Sequence, residues 1–458
     1  MIAMPRSSLR ATLARLVTAA ALFATARAAG AQQAAPQPLS LADAIQMAAK
    51  QSALVETAAL RTTEAEARVS QSRSAFLPNV SASATEAKNT LNSATFGFNF
   101  PAQPGQPPLL NPLGQVIGPV TTLDLRGHIS QTVFDPAAYE RLQASKASAA
   151  AVSVGESAAA EQAAVQAAVA YLQALRADAQ LTARLADSSL AADLLGIARD
   201  QLSAGVGVAL DVTRAASQLA GVRAQLIGAR NAQAQSRLDL ARALNLPLDT
   251  PLELTDSLDA LTTVPDAADA DAAVQRALQA RPDVRALEQQ VRAAQVQMNA
   301  TRAERLPTIN AFGDDGAIGL RLNKLLVTYT WGIQLSVPVF DGNRRRGRVD
   351  EQDAAMRELQ VRMRDLRQQV AVEVRSAALD VASARQAVDA AGEHEQLAEQ
   401  EVSQARDRFR AGVAGNADVI TASLSLNAAR TQLIDAQTAF QSARVALAYA
   451  EGRTTSIQ

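Results

Sequence analysis

The chain carries one plan twice. LADAIQMAAKQSALVETAALRTTEAEARVSQSRSAFLPNVSA (residues 41–82) aligns without gaps on ADAAVQRALQARPDVRALEQQVRAAQVQMNATRAERLPTINA (270–311), so that Leu77-Pro78 falls on Leu306-Pro307. Further on, SQTVFD (130–135) matches SVPVFD (336–341), and LSAGVGVALDV (202–212) matches FRAGVAGNADV (409–419). Internal repetition on this scale decides architecture before local propensity does. The two copies differ mainly between Pro78 and Phe134, where the first is longer. That insert holds PAQPGQPPLLNPLGQVIGP (101–119), and its prolines and glycines read as an irregular loop.

Each copy reads as helix, strand, loop, strand, very long helix, break and returning helix. Proline disfavours helix in the residue before it, so the first helix ends near Leu-Pro. The long helices start near Asp135-Pro136 and Asp341-Gly342 and run to about Ala204 and Ala411. Each is roughly seventy residues, or ~100 Å at about 1.5 Å per residue. Apolar residues recur at threes and fours, as in Val165, Val169 and Leu172, then Leu190, Leu194 and Ile197, and on the return Leu219, Val222 and Leu226. A stripe of that length needs partner helices throughout, as in a coiled coil.

The strands constrain the fold further. In LVTYTWGIQLSVPVFD, Val327, Tyr329, Trp331, Ile333, Leu335, Val337 and Val339 alternate with Thr328, Thr330, Gly332, Gln334, Ser336 and Pro338. In the first copy Leu123, Leu125, Ile129 and Val133 alternate with Thr122, Asp124, Arg126, His128 and Ser130. Such runs suit a half-buried sheet or, at about ten residues each, a tilted bilayer crossing. Tyr329 and Trp331 stand on the apolar face, where membrane-interface aromatics belong. Two strands per copy make four per chain, too few for a membrane barrel, whose smallest closed forms have about eight. A barrel would have to be shared between chains, in a number this geometry leaves open.

Composition points the same way. Hydrophobic residues make up 48% of the chain but aromatics only 3%, which argues against an ordinary globular core and for close-packed, alanine-rich helices. No stretch beyond the N-terminus offers about twenty uninterrupted apolar residues. Arg6, Arg10 and Arg15, the apolar run Leu16–Ala26 and Ala29-Gly30-Ala31 read as a signal peptide over 1–31. A net charge of -1 provides no footprint for nucleic acid. With no cysteine and two distant histidines, His128 and His394, no metal site is expected, and no cofactor. Glu393, His394 and Glu395 are adjacent on a helix and so diverge. No nucleophile elbow, phosphate loop or catalytic constellation is found, so no enzyme is expected.

The LSLADAIQMAAKQSALV entry, the paired Leu-Pro and Val-Phe-Asp junctions and the paired Gly-Val-x4-Asp-Val breaks resemble the TolC family of outer-membrane exit ducts, over nearly the whole chain after residue 31. The resemblance implies a mainly α fold with a membrane β-barrel portion: a homotrimer with a twelve-stranded barrel and a twelve-helix periplasmic tunnel. The first repeat would span 32–246, with strands at about 79–98 and 121–134 and a helical hairpin over 136–245. A linker at 247–269 would lie in an equatorial belt. The second repeat would span 270–458, with strands at about 307–322 and 326–340 and a hairpin over 342–451. The implied function is a passive duct of an efflux pump or type I secretion system. It would sit in the outer membrane, in contact with its lipid, and open when a periplasmic adaptor coupled to an inner-membrane transporter docks on the helical tips. A barrel-anchored structural or adhesive coiled-coil protein is the alternative.

The tips then become the candidate site. Gly205, Val206, Gly412 and Val413 would form the docking turns, and Asp211, Asp418 and Phe409 the channel entrance. Glycine suits a helix end needing positive φ, and the two aspartates stand where an N-cap carboxylate would meet the returning helix. Repeated by threefold symmetry, Asp418 would ring the entrance and favour cations. The family's Tyr and Arg latch does not carry over, because Phe409 and Ala414 occupy those positions and Thr421 replaces a second Asp. Arg214 and Arg410 are possible substitutes that equally suit solvated surface. NRRRGR (343–348) is either a solvated helix start or a contact for anionic lipid.

Overall fold

The computed structural model describes residues 37–96, 114–259 and 270–457. The expected signal peptide, most of the first-copy insert and the end of the expected linker lie outside them. In chain order the elements are β1 (Gln37–Leu39), α1 (Leu41–Gln51), α2 (Ala53–Ser74), β2 (Asn79–Asn92), β3 (Val116–Phe134), α3 (Pro136–Ser203), α4 (Ala209–Ala243), β4 (Leu252–Leu254), α5 (Ala270–Ala280), α6 (Pro282–Ala303), β5 (Thr308–Gly319), β6 (Leu325–Ser336), α7 (Arg344–Arg410) and α8 (Asn416–Ala450). The chain is mostly helical. It divides into two compact units that do not follow the repeat boundary. One comprises the described residues of Met1–Ala53, Ala160–Val274 and Glu373–Gln458, the other Leu54–Ala159 and Gln275–Val372. The helices α3 and α7 contribute to both.

In the second unit the four long strands form one antiparallel sheet in the order β2-β3-β5-β6. Pairing, not the alternation pattern, sets their limits. The strand β3 starts at Val116, earlier than the 121 expected, because Val116 and Ile117 pair with Asn92 and Leu91. The strand β6 stops at Ser336, opposite Thr308, where β5 begins after Leu306-Pro307. The alternation continues through Val337 and Val339, but Pro338 has no N–H to donate and no partner strand remains. The helix α7 begins at Arg344 instead of 342, because Gly342 and Asn343 hold φ of +68° and +66°.

The register sorts the sheet into two faces. One carries Asp124, Arg126, His128 and Ser130 beside Asn310, Asp314, Thr330 and Gln334; the other carries Leu125, Ile129, Ile309, Val327, Trp331, Ile333 and Leu335. Within the chain the β6 apolar row is exposed, Val327 at 77% and Ile333 at 77%. Tyr329 and Trp331 share it, and the Trp331 ring lies where a Cβ on Gly313 would stand. The strands β2 and β6 each keep one unpaired edge.

The first unit is held by small residues. Ala163, Ala164, Ala167, Ala168 and Ala174 on α3 are fully or almost fully buried, which lets neighbouring backbones approach closely. Among the larger side chains buried with them is Tyr171. Its hydroxyl lies 2.9 Å from both the Leu39 carbonyl and Asp256 Oδ2. Asp256 also accepts the Leu41 N–H at 2.7 Å, so one carboxylate ties α3 to the start of α1. Ser40 caps α1 by accepting from the Asp43 N–H at 3.1 Å. The parallel pair β1–β4 lies beside this hub. Burial, with the Asp256 bond and charge adding to it, pushes the Tyr171 phenol far above its ordinary value, so it stays neutral. The Tyr171→Phe variant should lose roughly 1–2 kcal/mol, read as a lower midpoint in chemical denaturation.

Candidate channel entrance

The duplicated breaks fold alike. After α3 the chain turns through Gly205 at φ +75°, with the Gly205 N–H donating to the Leu202 carbonyl at 3.1 Å and the Val206 N–H to the Gln201 carbonyl at 3.0 Å. After α7 it turns through Gly412 at φ +73°, with Gly412 donating to Phe409 and Val413 to Arg408, both at 3.0 Å. These are two Schellman motifs, which need a left-handed residue that glycine supplies without steric cost. In that motif an apolar residue in the Val206 or Val413 position usually packs back on the helix. Here the facing residues are Gln201 and Arg408, and Val206 stays 80% and Val413 69% exposed.

The aspartates are not N-caps. Val208 (φ −115°, ψ 144°) and Gly415 (φ −80°, ψ 162°) hold the cap positions, and neither makes a side-chain cap bond. The extended backbone a cap requires falls three residues earlier than expected, so Asp211 and Asp418 stand inside the first turn. They still meet the positive end of the helix dipole there. Asp211 is partly buried, 3.9 Å from Arg214. Asp418 is exposed and has no ion pair among the described residues.

Phe409, expected at the entrance, is a core residue of the tip. It is 2% exposed, in a cluster with Leu194, Leu195, Leu219, Val222 and Val419. The phenyl ring lacks the hydroxyl that would favour a place at a wet surface. Two polar side chains tie the hairpins together around it. Gln201 Nε2 donates to the Phe409 carbonyl at 2.8 Å, and Asn416 Nδ2 donates to the Asp211 carbonyl at 2.9 Å. Asn416 is fully buried, and its Oδ1 has no partner.

Farther along the same helices lies a charge network that the sequence did not announce. Asp187 on α3 is 6% exposed and accepts from Arg184 at 3.1 Å, Asn427 Nδ2 at 2.8 Å and Arg430 at 3.4 Å. Arg184 also donates to the Asn427 side-chain oxygen and to Thr431 Oγ1 at 2.9 Å. Arg430 reaches Glu399 at 2.9 Å and Glu395 at 3.6 Å on α7. Three helices from both hairpins thus meet in one ionic cluster. Burial outweighs the two guanidiniums and holds the Asp187 carboxyl above its ordinary value. Only the spacing of Arg184 and Asp187 hinted at it; the α8 partners lie more than two hundred residues away.

A polar cavity of about 580 Å³ opens on the hydrophilic face of the sheet, lined by His128, Ser130, Asn310, Phe312 and Gln334. His128 Nδ1 lies 2.9 Å from Asp314 Oδ1 across the β3–β5 pair. His394, in contrast, meets Gln432 at 3.1 Å.

A family model described as outer membrane efflux protein matches residues 44–246 and 273–453. The chain belongs to that family. The membership agrees with the TolC resemblance, and the family is one of outer-membrane efflux proteins, not of enzymes. The solvent efflux pump outer membrane protein SrpC of Pseudomonas putida is 28% identical over 179 residues, 37% of this chain and 37% of that protein. The probable efflux pump outer membrane protein SepC of Pseudomonas putida strain F1 is 32% identical over 193 residues, 40% of this chain and 38% of that protein. The chain thus spans under two fifths of the length of these curated relatives. Among solved structures, the outer-membrane channel OprN superposes with a TM-score of 0.72 at 18% identity, over 90% of this chain and 89% of that one. VceC of Vibrio cholerae gives 0.70 at 19% identity, over 90% and 96%. At such identities these superpositions speak for the fold of the family.

Two predictions concern this region. The variants Gly205→Ala and Gly412→Ala should each cost about 1–2 kcal/mol, seen as a lower thermal midpoint in detergent, because Cβ disfavours positive φ. For Asp187, the folded chain holds the proton more tightly than the unfolded one. Its contribution is therefore complete below pH 3.8 and is lost as pH rises through the raised value. The stability of the natural chain relative to Asp187→Asn should fall as pH rises above about 3.8 in thermal scans.

Proposed function

We propose that three copies of this chain form the outer-membrane exit duct of a tripartite efflux pump. The observation that carries the reading is the four-stranded sheet, with an outward apolar row and two unpaired edges, joined to two helical hairpins with matching tips. Pairing β6 of one copy with β2 of the next would close twelve strands and leave no backbone group unpaired in lipid. Val327, Tyr329, Trp331, Ile333 and Leu335 would then face hydrocarbon and the interface, while His128, Asp314 and Asn310 would face the aqueous lumen. The hairpins would form a twelve-helix periplasmic tunnel.

Transport through such a tube is passive, and the energy comes from a partner. Val206 and Val413 are the surface on which a periplasmic adaptor, coupled to an inner-membrane transporter, would dock. Two exposed valines on turns of the same geometry suit a partner that makes repeated apolar contacts. Asp418 would form a ring of three carboxylates at the entrance and favour cations. With Phe409 in the core and no Tyr and Arg latch, the closed state would rest on the Gln201 and Asn416 bonds and on the Asp187 network. Both curated relatives are named for efflux pumps, and SrpC for a solvent pump, which favours pump over protein secretion and small apolar molecules as cargo.

Single-channel recording in a planar bilayer tests the duct. A purified assembly should conduct, and Asp418→Ala should lower its cation selectivity by a measurable shift in reversal potential. An assembly that never conducts, even with Asp187→Ala or Gln201→Ala, would sink the duct and favour a structural coiled-coil role. In cells, Val206→Glu with Val413→Glu should abolish pump-dependent resistance while leaving assembly and conductance intact.

A further inference from the structure

The chain changes character just beyond β6. Val337, Val339 and Phe340 are 53%, 92% and 83% exposed. Four residues after Phe340, α7 opens with Arg344, Arg345, Arg346 and, one residue on, Arg348. Two of these are satisfied within the chain. Arg345 Nε lies 3.4 Å from Asp341, and Arg348 Nη1 lies 2.6 Å from Glu304. Arg344 and Arg346 are exposed and have no ion pair or side-chain hydrogen bond among the described residues.

The corresponding junction of the first copy is different. It too exposes Val133, Phe134 and Tyr139, at 62%, 51% and 55%. Its one arginine, Arg141, is taken up by Asp135 at 3.1 Å and Glu304 at 3.9 Å. At this junction, and among the described residues, unpaired cationic charge beside exposed apolar surface is therefore confined to the second copy, and the repeat supplies its own comparison.

Length places the two groups. The paired apolar row from Val327 to Leu335 covers roughly 26 Å of strand, or about 20 Å of depth at the usual barrel tilt. An apolar band about 25 Å tall would extend past it into Val337–Phe340. The next chain to emerge is the arginine run, at headgroup depth. Two positions apart on a helix, Arg344 and Arg346 leave α7 on opposite sides, so each long stem brings its own guanidinium to that plane, where its planar fork matches a separate phosphate.

We propose that Arg344 and Arg346, with Val339 and Phe340 beneath them, form a binding surface for anionic phospholipid in the leaflet nearest the helical tunnel. It rests on the membrane-barrel reading above. Phe340 and Val339 occupy the acyl boundary and the two guanidiniums hold headgroup phosphates, three times around a trimer.

The test uses the full chain reconstituted in phosphatidylcholine vesicles containing a minor fraction of phosphatidylglycerol, followed by gentle extraction and quantification of retained lipid. Phosphatidylglycerol should be enriched over its share of the bilayer. The double variant Arg344→Gln/Arg346→Gln should lose that enrichment, on the order of fivefold for each arginine. The variant Arg344→Lys/Arg346→Lys should retain part of it, and Arg367→Gln, on α7 away from the junction, all of it. Retention in proportion to bilayer composition, or unchanged enrichment in the double Gln variant, overturns the proposal. Conductance measured in the same vesicles separates the two layers: channels without lipid preference overturn this inference alone, and no channels in any lipid overturn the barrel reading with it.

Discussion

An extended strand in hydrocarbon has nowhere to send the N–H and C=O groups of an open side. In the barrel proposed above, that constraint would govern the sheet. The sheet β2-β3-β5-β6 ends on both flanks in unpaired backbone and carries an exposed apolar face. Neither property is tolerable in a lone soluble domain, where such an edge is an aggregation site. Both would become assets if another copy supplied the missing strand, as in the barrel proposed above. Duplication of the plan would follow the same logic, since two strand pairs per chain lower the number of chains needed to close a ring.

The helical part solves a different problem. Its cores are built from alanine, and alanine contributes little apolar area per residue. Close backbone approach compensates, and a few polar centres fix the register that small side chains leave loose. Tyr171 and Asp256 do this near the ends of the first unit's β1 and α1. Asp187, with Arg184, Arg430 and Asn427, does it between the hairpins. A buried carboxylate between two partly exposed guanidiniums adds little net stability but penalises slippage, because any shift strands a charge.

The sequence displayed the periodicities openly. The repeat, the thirteen-position alternation at Val327–Val339 and the glycine breaks could be read without coordinates, because each is a local signal that the backbone obeys directly. Limits of elements were less legible, since Val116 joins β3 only through its partner Asn92 on β2, and Ser336 ends β6 only because β5 begins opposite it. The tip was half legible. Glycine at positive φ is a local requirement, whereas Asp211 and Asp418 miss the cap by three residues because the extended cap backbone falls on Val208 and Gly415. The buried place of Phe409 could not be read, and the Asp187 network showed only in the Arg184–Asp187 spacing, because burial and partners more than two hundred residues distant are properties of packing.

The Trp331 ring stacked over Gly313 has one more consequence. It is the chain's sole tryptophan. Indole emission shifts colour with the polarity around it, so the light emitted by this protein comes from a single spot on the apolar face of β6. The molecule carries its own optical gauge of whether that face meets water, detergent or lipid, and it needs no label attached.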